Sequence, residues 1–148
     1  MADQRLKGQE VQITVTQDGV VVDAFNAVAS FNDTQKSEKI EQGYLGETTN
    51  RHDDIFNGYD GSFDFHMENT RWVAFVAAVI ARQRRQTPGT IFNVIRVDLF
   101  PNGETFSRTY LDVMFGALPN SIGSRGDYVS GSIDFSCDEV QDSTQTIL

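Results

Sequence analysis

The stretch that decides the fold runs from residue 43 to residue 66 and reads GYLGETTNRHDDIFNGYDGSFDFH. Its first half is polar and interrupted by glycines, which is typical of a loop longer than a simple turn. Its second half alternates apolar and polar residues, the period of a half-buried strand. We predict that this strand turns one set of side chains toward a core (Tyr59, Gly61, Phe63, Phe65) and the other set away from it (Asp60, Ser62, Asp64, His66).

Upstream of this stretch, the sequence predicts a β-hairpin and then an unusual polar segment. Residues 11–16 and 20–25 are strand-like and flank a turn that contains glycine. Residues 27–31 resume an extended pattern, and residues 32–34 have the composition of a loop. Residues 35–42 have no apolar face, so they fit either a strand stabilised by opposite charges across it or a short exposed helix. Such a segment indicates packing against another subunit, or else a flexible edge.

Downstream, the sequence predicts one helix. Asn69 is placed to cap it, and apolar residues follow at helical spacing from Trp72 to Ile80. Thr87-Pro88-Gly89 is expected to end it. Three arginines precede this stop and would complement the negative end of the helix dipole: Arg82, Arg84 and Arg85. The pattern is that of a helix packed on a sheet.

Strand patterns fill the second half of the chain. Residues 94–99 alternate, and a turn at Asn102-Gly103 leads into a return strand over residues 108–115. A final strand over residues 129–137 has alternating apolar and Ser/Asp faces. We therefore expect a mainly β (α+β) fold: a β-sandwich or barrel of about seven or eight antiparallel strands with one packed α-helix. The acidic and polar residues that follow are expected to be poorly ordered or bound to a partner.

Length and composition limit the classes of protein to consider. The 148 residues suit a single domain over residues 1–148, with residues 139–148 as a flexible C-terminal tail. A net charge of −9 argues against a general nucleic-acid binder. The single Cys137 excludes an internal disulfide. Because residues 1–7 lack the apolar core of a signal peptide and no apolar run is long enough for a membrane span, we expect a cytoplasmic protein with no membrane partner.

No catalytic set is found in the sequence. The His/carboxylate groupings are His52-Asp53-Asp54 and His66 with Glu68, and neither has an obvious third metal ligand. Cys137 falls on the inward side of a strand, where a thiol usually behaves as a small apolar group. Nucleophile-elbow and phosphate-binding motifs are absent. We therefore expect no enzyme activity, no catalytic residue, no metal and no cofactor.

Charge is distributed unevenly along the chain. Residues 32–68 hold nine acidic and three basic residues, a net of −6, whereas residues 71–85 hold four arginines and no acid. Opposite charges on different elements suit complementary subunit surfaces. Separate solvated patches are the alternative.

The order of these features resembles that of the tail tube proteins of long-tailed bacteriophages, and we expect the contractile-tail type. The shared order is a hairpin, a Lys/Glu-rich segment that leads into Tyr44-Leu45-Gly46-Glu47, a polar loop, a GYDGSFDF strand at residues 58–65, a helix and further strands. The resemblance covers residues 9–138 and is most specific at residues 37–46 and 58–65.

The resemblance implies a structural virion protein that assembles into homohexameric rings. The rings stack into a hollow tail tube, which is built in the host cytoplasm and lets DNA pass without specific binding. It also implies partners: other copies of the chain, the tail sheath, the baseplate and the tail terminator. A connecting loop over residues 46–58 would reach neighbouring subunits through Gly46, Glu47, Thr48, Thr49, Asn50, Arg51, His52, Asp53, Asp54 and Gly58. The candidate acidic lumen residues are Glu38, Glu41, Asp60 and Asp64.

Three alternatives remain open from the sequence. The chain could form the tube of a contractile bacteriocin or of a secretion system, which share the fold of tail tube proteins. It could instead be a monomeric β-barrel that binds a small ligand or sugar through Trp72, Tyr59 and Tyr110. A metal-dependent hydrolase that uses His52, His66 and nearby acids is the third.

Overall fold

The computed structural model describes residues 5–145 and consists mainly of antiparallel strands. One helix, α1, spans Arg71–Gln83, and short 3-10 turns cover Gly8–Glu10 and Asp23–Phe25. In chain order the strands are β1 (Val11–Gln17), β2 (Val20–Val21), β3 (Val28–Gln42), β4 (Arg51–His66), β5 (Phe92–Leu99), β6 (Thr105–Leu111), β7 (Met114–Phe115), β8 (Asn120–Ser121), β9 (Ser130–Cys137) and β10 (Glu139–Gln145).

The strands form two sheets that face each other. Sheet A has the order β10-β6-β5-β1-β2, and sheet B has the order β3-β4-β9-β7, with β8 also paired to β9. All pairings are antiparallel, and neither sheet closes on itself. The predicted sandwich with one helix is confirmed, and the barrel alternative is not what forms.

The core between the sheets is largely aromatic. Phe25 lies at its centre, edge-to-face with Phe65 (ring centroids 4.7 Å apart) and with Phe75 of α1 (4.9 Å). Such pairs stabilise a core by about 0.5–1.5 kcal/mol beyond the area they bury. The face of β4 predicted to point inward does so, because Phe63 and Phe65 are buried while Asp64 is exposed. The strand that the sequence stretch predicted is therefore confirmed in position and in face.

The helix begins as predicted and ends earlier. The N-cap is Thr70, and the side-chain oxygen of Asn69, one residue before it, accepts a hydrogen bond from the backbone N–H of Arg71 at 3.0 Å. The helix ends at Gln83, and Arg85 adopts the left-handed region with φ of 58°. Consequently Arg82 lies in the last turn, while Arg84 and Arg85 lie beyond it.

Two predicted loops are strand instead. Residues 32–34 lie within β3, and residues 51–58 lie within β4, so the connection between these strands is only residues 43–50. The reason is mutual pairing: residues 37–42 pair with residues 51–56 in register, from Ser37 opposite Phe56 to Gln42 opposite Arg51. The backbone N–H and C=O groups of each polar segment pair with those of the other. An apolar pattern in the sequence does not predict this pairing.

The predicted return strand changes sheets. Its first part is β6 in sheet A and its last part is β7 in sheet B. Asp112, with φ of 48°, turns the chain between them, so that Tyr110, Val113 and Phe115 are all buried. A strict alternation over residues 108–115 would have put Tyr110 on the opposite side from Val113 and Phe115.

The segment after Cys137 differs from the expected flexible tail. Residues 139–145 form β10, which pairs along the whole length of β6 at the edge of sheet A. The guanidinium of Arg108 binds both carboxylate oxygens of Asp142, at 2.8 and 3.1 Å. This two-point pairing explains why a polar segment is held in place. Residues 146–148, the remainder of the predicted tail, lie outside the described residues.

Candidate assembly surfaces

The outward face of strands β3, β4 and β9 in sheet B is polar. The strands β3, β4 and β9 contribute the small hydroxyl, amide and carboxylate side chains of three successive cross-strand rows. The rows are Ser30, Asp64 and Ser132; Asn32, Ser62 and Asp134; and Thr34, Asp60 and Ser136. We call these nine residues the polar face of sheet B.

Hydrogen bonds across the strands hold the side chains of this face in place. Asp64 accepts hydrogen bonds from Ser132 at 2.5 Å and from Ser30 at 3.2 Å. The Ser62 hydroxyl donates to the Asn32 side chain at 3.0 Å. These hydroxyl and amide partners fix the positions of the side chains across the three strands.

Asp60 has both a hydroxyl and a cationic partner. It accepts a hydrogen bond from Ser136 at 2.6 Å and pairs with Lys36 at 3.1 Å. The pKa of Asp60 is lowered: the Ser136 hydrogen bond is the largest cause, burial opposes it, and Lys36 adds to the lowering. Asp60 therefore carries its negative charge at any physiological pH.

A β-bulge at Gly58 divides the long hairpin into two parts. Gln35 pairs with Tyr59 and Ser37 with Phe56, so Lys36 alone lies opposite Asn57 and Gly58. Gly58 has φ of 88°, which side chains disfavour, and a Cβ there would press on the backbone oxygen of Cys137. Beyond the bulge, β9 no longer pairs with β4. Residues 37–57 therefore project past the sandwich, and we call them the arm.

All residues of the arm are exposed, and several are large and apolar. Leu45 at the tip is fully exposed, and Tyr44 beside it is half exposed. The tip is held by Arg51, whose Nε lies 3.0 Å from a Glu47 carboxylate oxygen and whose guanidinium lies 4.9 Å from the Tyr44 ring centroid. Further exposed apolar side chains along the strands of the arm are Ile40, Ile55 and Phe56. Large apolar side chains exposed on a projecting segment mark an interaction surface.

The structure distributes the sequence-predicted site residues over three places. Asp60 and Asp64 lie on the polar face, and Glu38 occupies a position on the same side of β3, farther out along the arm. Glu41 occupies the opposite side, where its carboxylate accepts a hydrogen bond from Asn50 at 2.9 Å and lies 3.5 Å from His52. Of the candidate inter-subunit residues, Gly46, Glu47, Thr48, Thr49 and Asn50 lie in the connection, Arg51, His52, Asp53 and Asp54 in β4, and Gly58 at the bulge.

Sequence reasoning missed the apolar residues of the arm. Ile40 stands alone among charged and polar residues, and Ile55-Phe56 is a single short pair between Asp54 and Asn57, so neither forms an apolar pattern. A usable signal was present: a large apolar residue within a segment that lacks an apolar face has no core to join.

The residues of the ligand-binding and hydrolase alternatives do not form a common site, although the Tyr59 and Tyr110 rings meet edge-to-face with centroids 6.5 Å apart. Trp72 and Tyr110 are buried in the core, so their rings are not available to a ligand. His66 stacks on Tyr128, with ring centroids 4.9 Å apart, whereas His52 lies on the arm. Within residues 5–145 there is no cluster of three or more His, Cys, Asp or Glu side chains that could hold a metal ion. No helix in the described part of the chain has the length and apolar character to span a membrane.

Comparison with solved structures identifies the fold, although no family model and no curated protein sequence matches the chain. A chain of the anti-feeding prophage tube-terminating cap superposes with a TM-score of 0.66 and 12% identity, over 98% of this chain and 95% of that one. A chain of the tail of an empty gene transfer agent particle gives 0.64 and 9%, over 96% and 100%. The SPP1 tail tube gives 0.62 and 14%, over 95% and 80%. The chain therefore has the fold of phage tail tube proteins, a β-sandwich with one packed helix.

Proposed function

We propose that this protein is a structural subunit that assembles into hexameric rings stacked as a hollow tail tube. The observation that carries the proposal is the open edge of sheet B. Strand β3 is 15 residues long and, in the described part of the chain, pairs only with β4, so its other edge is free. A long free edge is a template for pairing with another chain. The opposite edge of sheet B carries only the two-residue strands β7 and β8.

Edge-to-edge pairing of sheet B between copies would produce a continuous wall. The six-fold symmetry of the gene transfer agent tail, whose chains share this fold, supports a ring of six. Each ring would present the polar face of sheet B on one surface and sheet A on the other. The arm of each subunit would then reach a neighbouring copy.

The polar face of sheet B is the surface that we assign to the lumen. It carries Asp60, Asp64 and Asp134, with Lys36 at its margin, and Glu38 extends the same side along the arm. A wall of fixed negative charge repels the phosphate backbone, so DNA would pass without binding. Glu41 lies on the other side of the arm. We propose that it holds the connection near the tip in place and does not line the lumen.

The remaining partners follow from this role. A tail tube would contact the tail sheath, the baseplate and the tail terminator, and would belong to the virion tail after assembly in the host cytoplasm. Chains of an extracellular contractile injection system and of the anti-feeding prophage share the fold, so the tube of an injection system is the second candidate. We assign no catalytic role in either case.

Negative-stain electron microscopy of the purified protein tests the proposal. We expect rings or tubes on the order of 100 Å wide, the sum of small domains around a ring. Replacement of residues 38–55 by a two-residue Asn-Gly turn would connect the paired residues Ser37 and Phe56 and remove most of the arm. That variant should still unfold in one cooperative thermal transition and lose the tubes, whereas Gly116→Ala, in open space, should keep both the cooperative transition and the tubes. A compact monomer at every concentration of the wild-type protein would refute the proposal.

A further inference from the structure

A groove lies between the end of α1 and strand β7. Its volume is about 640 Å³, and its floor is apolar, formed by Val79 and Phe115. Its rim includes Ile91, which is 48% exposed, and Met114, which is 55% exposed. An apolar recess with exposed apolar rims is suited to receive one or two large side chains.

Arginines surround this groove. Arg82 is fixed in its wall, because it donates to the Asp112 carboxylate at 2.6 Å and to the backbone oxygen of Val113 at 3.0 Å. Arg84 and Arg85 are exposed beside it, and neither has an ion-pair partner between residues 5 and 145. The rim of the groove therefore carries positive charge that the subunit itself leaves unpaired.

The arm has the complementary character. Its tip presents Leu45 and Tyr44, and residues 37–57 hold five acidic residues against two basic ones, a net charge of −3. Every residue of the arm is exposed, so the tip does not occupy the groove of its own subunit. The arm thus has an apolar tip flanked by acidic residues, and the groove has an apolar floor flanked by arginines.

We propose that the tip of the arm docks in this groove on a second copy of the chain, with Leu45 and Tyr44 on the apolar floor and the arm carboxylates facing Arg84 and Arg85. The inference rests on the proposed function and names the receptor that the arm uses. Because each copy has one arm and one groove, the contact is head-to-tail and propagates from copy to copy. A tip-to-tip contact, by contrast, would end at a dimer.

Disulfide trapping tests this contact. The variant Leu45→Cys with Ile91→Cys, in a Cys137→Ser background, is assembled, oxidised and run on a denaturing gel without reductant. We expect a ladder that extends beyond the dimer, whereas either single-cysteine variant should give dimers at most. A sample with tubes in micrographs but no ladder would overturn the docking contact and leave the proposed function standing. An absence of rings and tubes in the wild-type protein would instead refute the proposed function itself.

Charge reversal gives a second, independent measurement that needs no new cysteine. Arg84→Glu with Arg85→Glu should raise the protein concentration required for assembly at least tenfold, because like charges would then meet at the rim. The matched control is Lys7→Glu with Arg125→Glu, which makes the same change in net charge away from the groove and should shift that concentration less than twofold. Equal effects of the two variants would overturn the proposal, since net charge alone would then explain the result.

Discussion

Asp33 of β3 accepts a hydrogen bond from the hydroxyl of Tyr110 of β6, and this contact joins the two sheets through the interior. Arg108 donates to the same carboxylate oxygen at 3.3 Å. Tyr110 has no exposed surface, and burial raises its pKa, with the Asp33 hydrogen bond adding to the effect. A carboxylate in a region that sequence patterns assigned to a loop is therefore part of the cross-sheet core.

Tyr110→Phe should destabilise the protein by about 1–3 kcal/mol, because Asp33 would keep its burial and lose its hydroxyl partner. Urea unfolding at neutral pH measures the change. Tyr128→Phe is the matched control: its side chain is largely exposed, and the same loss of a hydroxyl should change the free energy of unfolding by less than about 0.5 kcal/mol. Equal effects of the two variants would contradict the assigned role of Asp33.

Gly61→Ala should destabilise by about 1–3 kcal/mol, because a Cβ at Gly61 would overlap the ring of Phe135. Thermal unfolding of Gly61→Ala is compared with that of Gly116→Ala, where a Cβ meets nothing within 4 Å. The difference between the two losses of stability gives the steric effect apart from the loss of a glycine. Adding Phe135→Leu to Gly61→Ala should recover part of the loss. A double variant whose loss is the sum of the two single losses would show that the residues do not compete for the same space.

Stability should fall as pH rises from about 9 to about 11 because of Cys137. Burial, with the nearby Asp138 charge, raises the pKa of this thiol to about 11 from an ordinary value of 9.0. In that window the unfolded chain releases the thiol proton while the folded chain keeps it, so each rise in pH favours unfolding. The full effect is on the order of 2–3 kcal/mol.

Urea unfolding of the wild type and of Cys137→Ala at pH 8 and pH 11, in reductant, measures the contribution of the thiol. The wild type should lose more free energy of unfolding over this range than the variant. Parallel losses in the two proteins would mean that Cys137 does not titrate differently in the folded and unfolded states.

Ser136→Ala should raise the pKa of Asp60 toward its ordinary value of 3.8, because the Ser136 hydrogen bond is the main cause of the lowering. Carboxyl-carbon NMR titration of Asp60 measures this directly. Ser107→Ala, a serine replaced on β6 in the other sheet, should leave the titration unchanged. An unshifted Asp60 in Ser136→Ala would assign the lowering to Lys36 instead.

The local sequence pattern predicted the strands and the helix that pack against the hydrophobic core. The alternation of Phe63 and Phe65 with Asp64 indicated both the strand and its buried face, and the position of Asn69 indicated the start of the helix. These features depend on residues close in the chain and on the preference of apolar side chains for the interior. The polar side of β4, which we propose for the lumen, was predictable for the same reason.

The sequence by itself determined the mainly β class, the single helix and the unequal distribution of charge, because periodicity and composition act locally, whereas the choice between sandwich and barrel came from the structure. Only the tertiary structure decided the rest: the burial of Asp98 against Arg96, the pairing of β10 through Asp142 and Arg108, and the extension of the arm. The Arg96–Asp98 pair lies within β5, whereas β10 and the strands of the arm are held by pairing with a neighbouring strand. A hydrophobic pattern predicts which side chains are buried. It does not predict which polar or charged groups pair with one another.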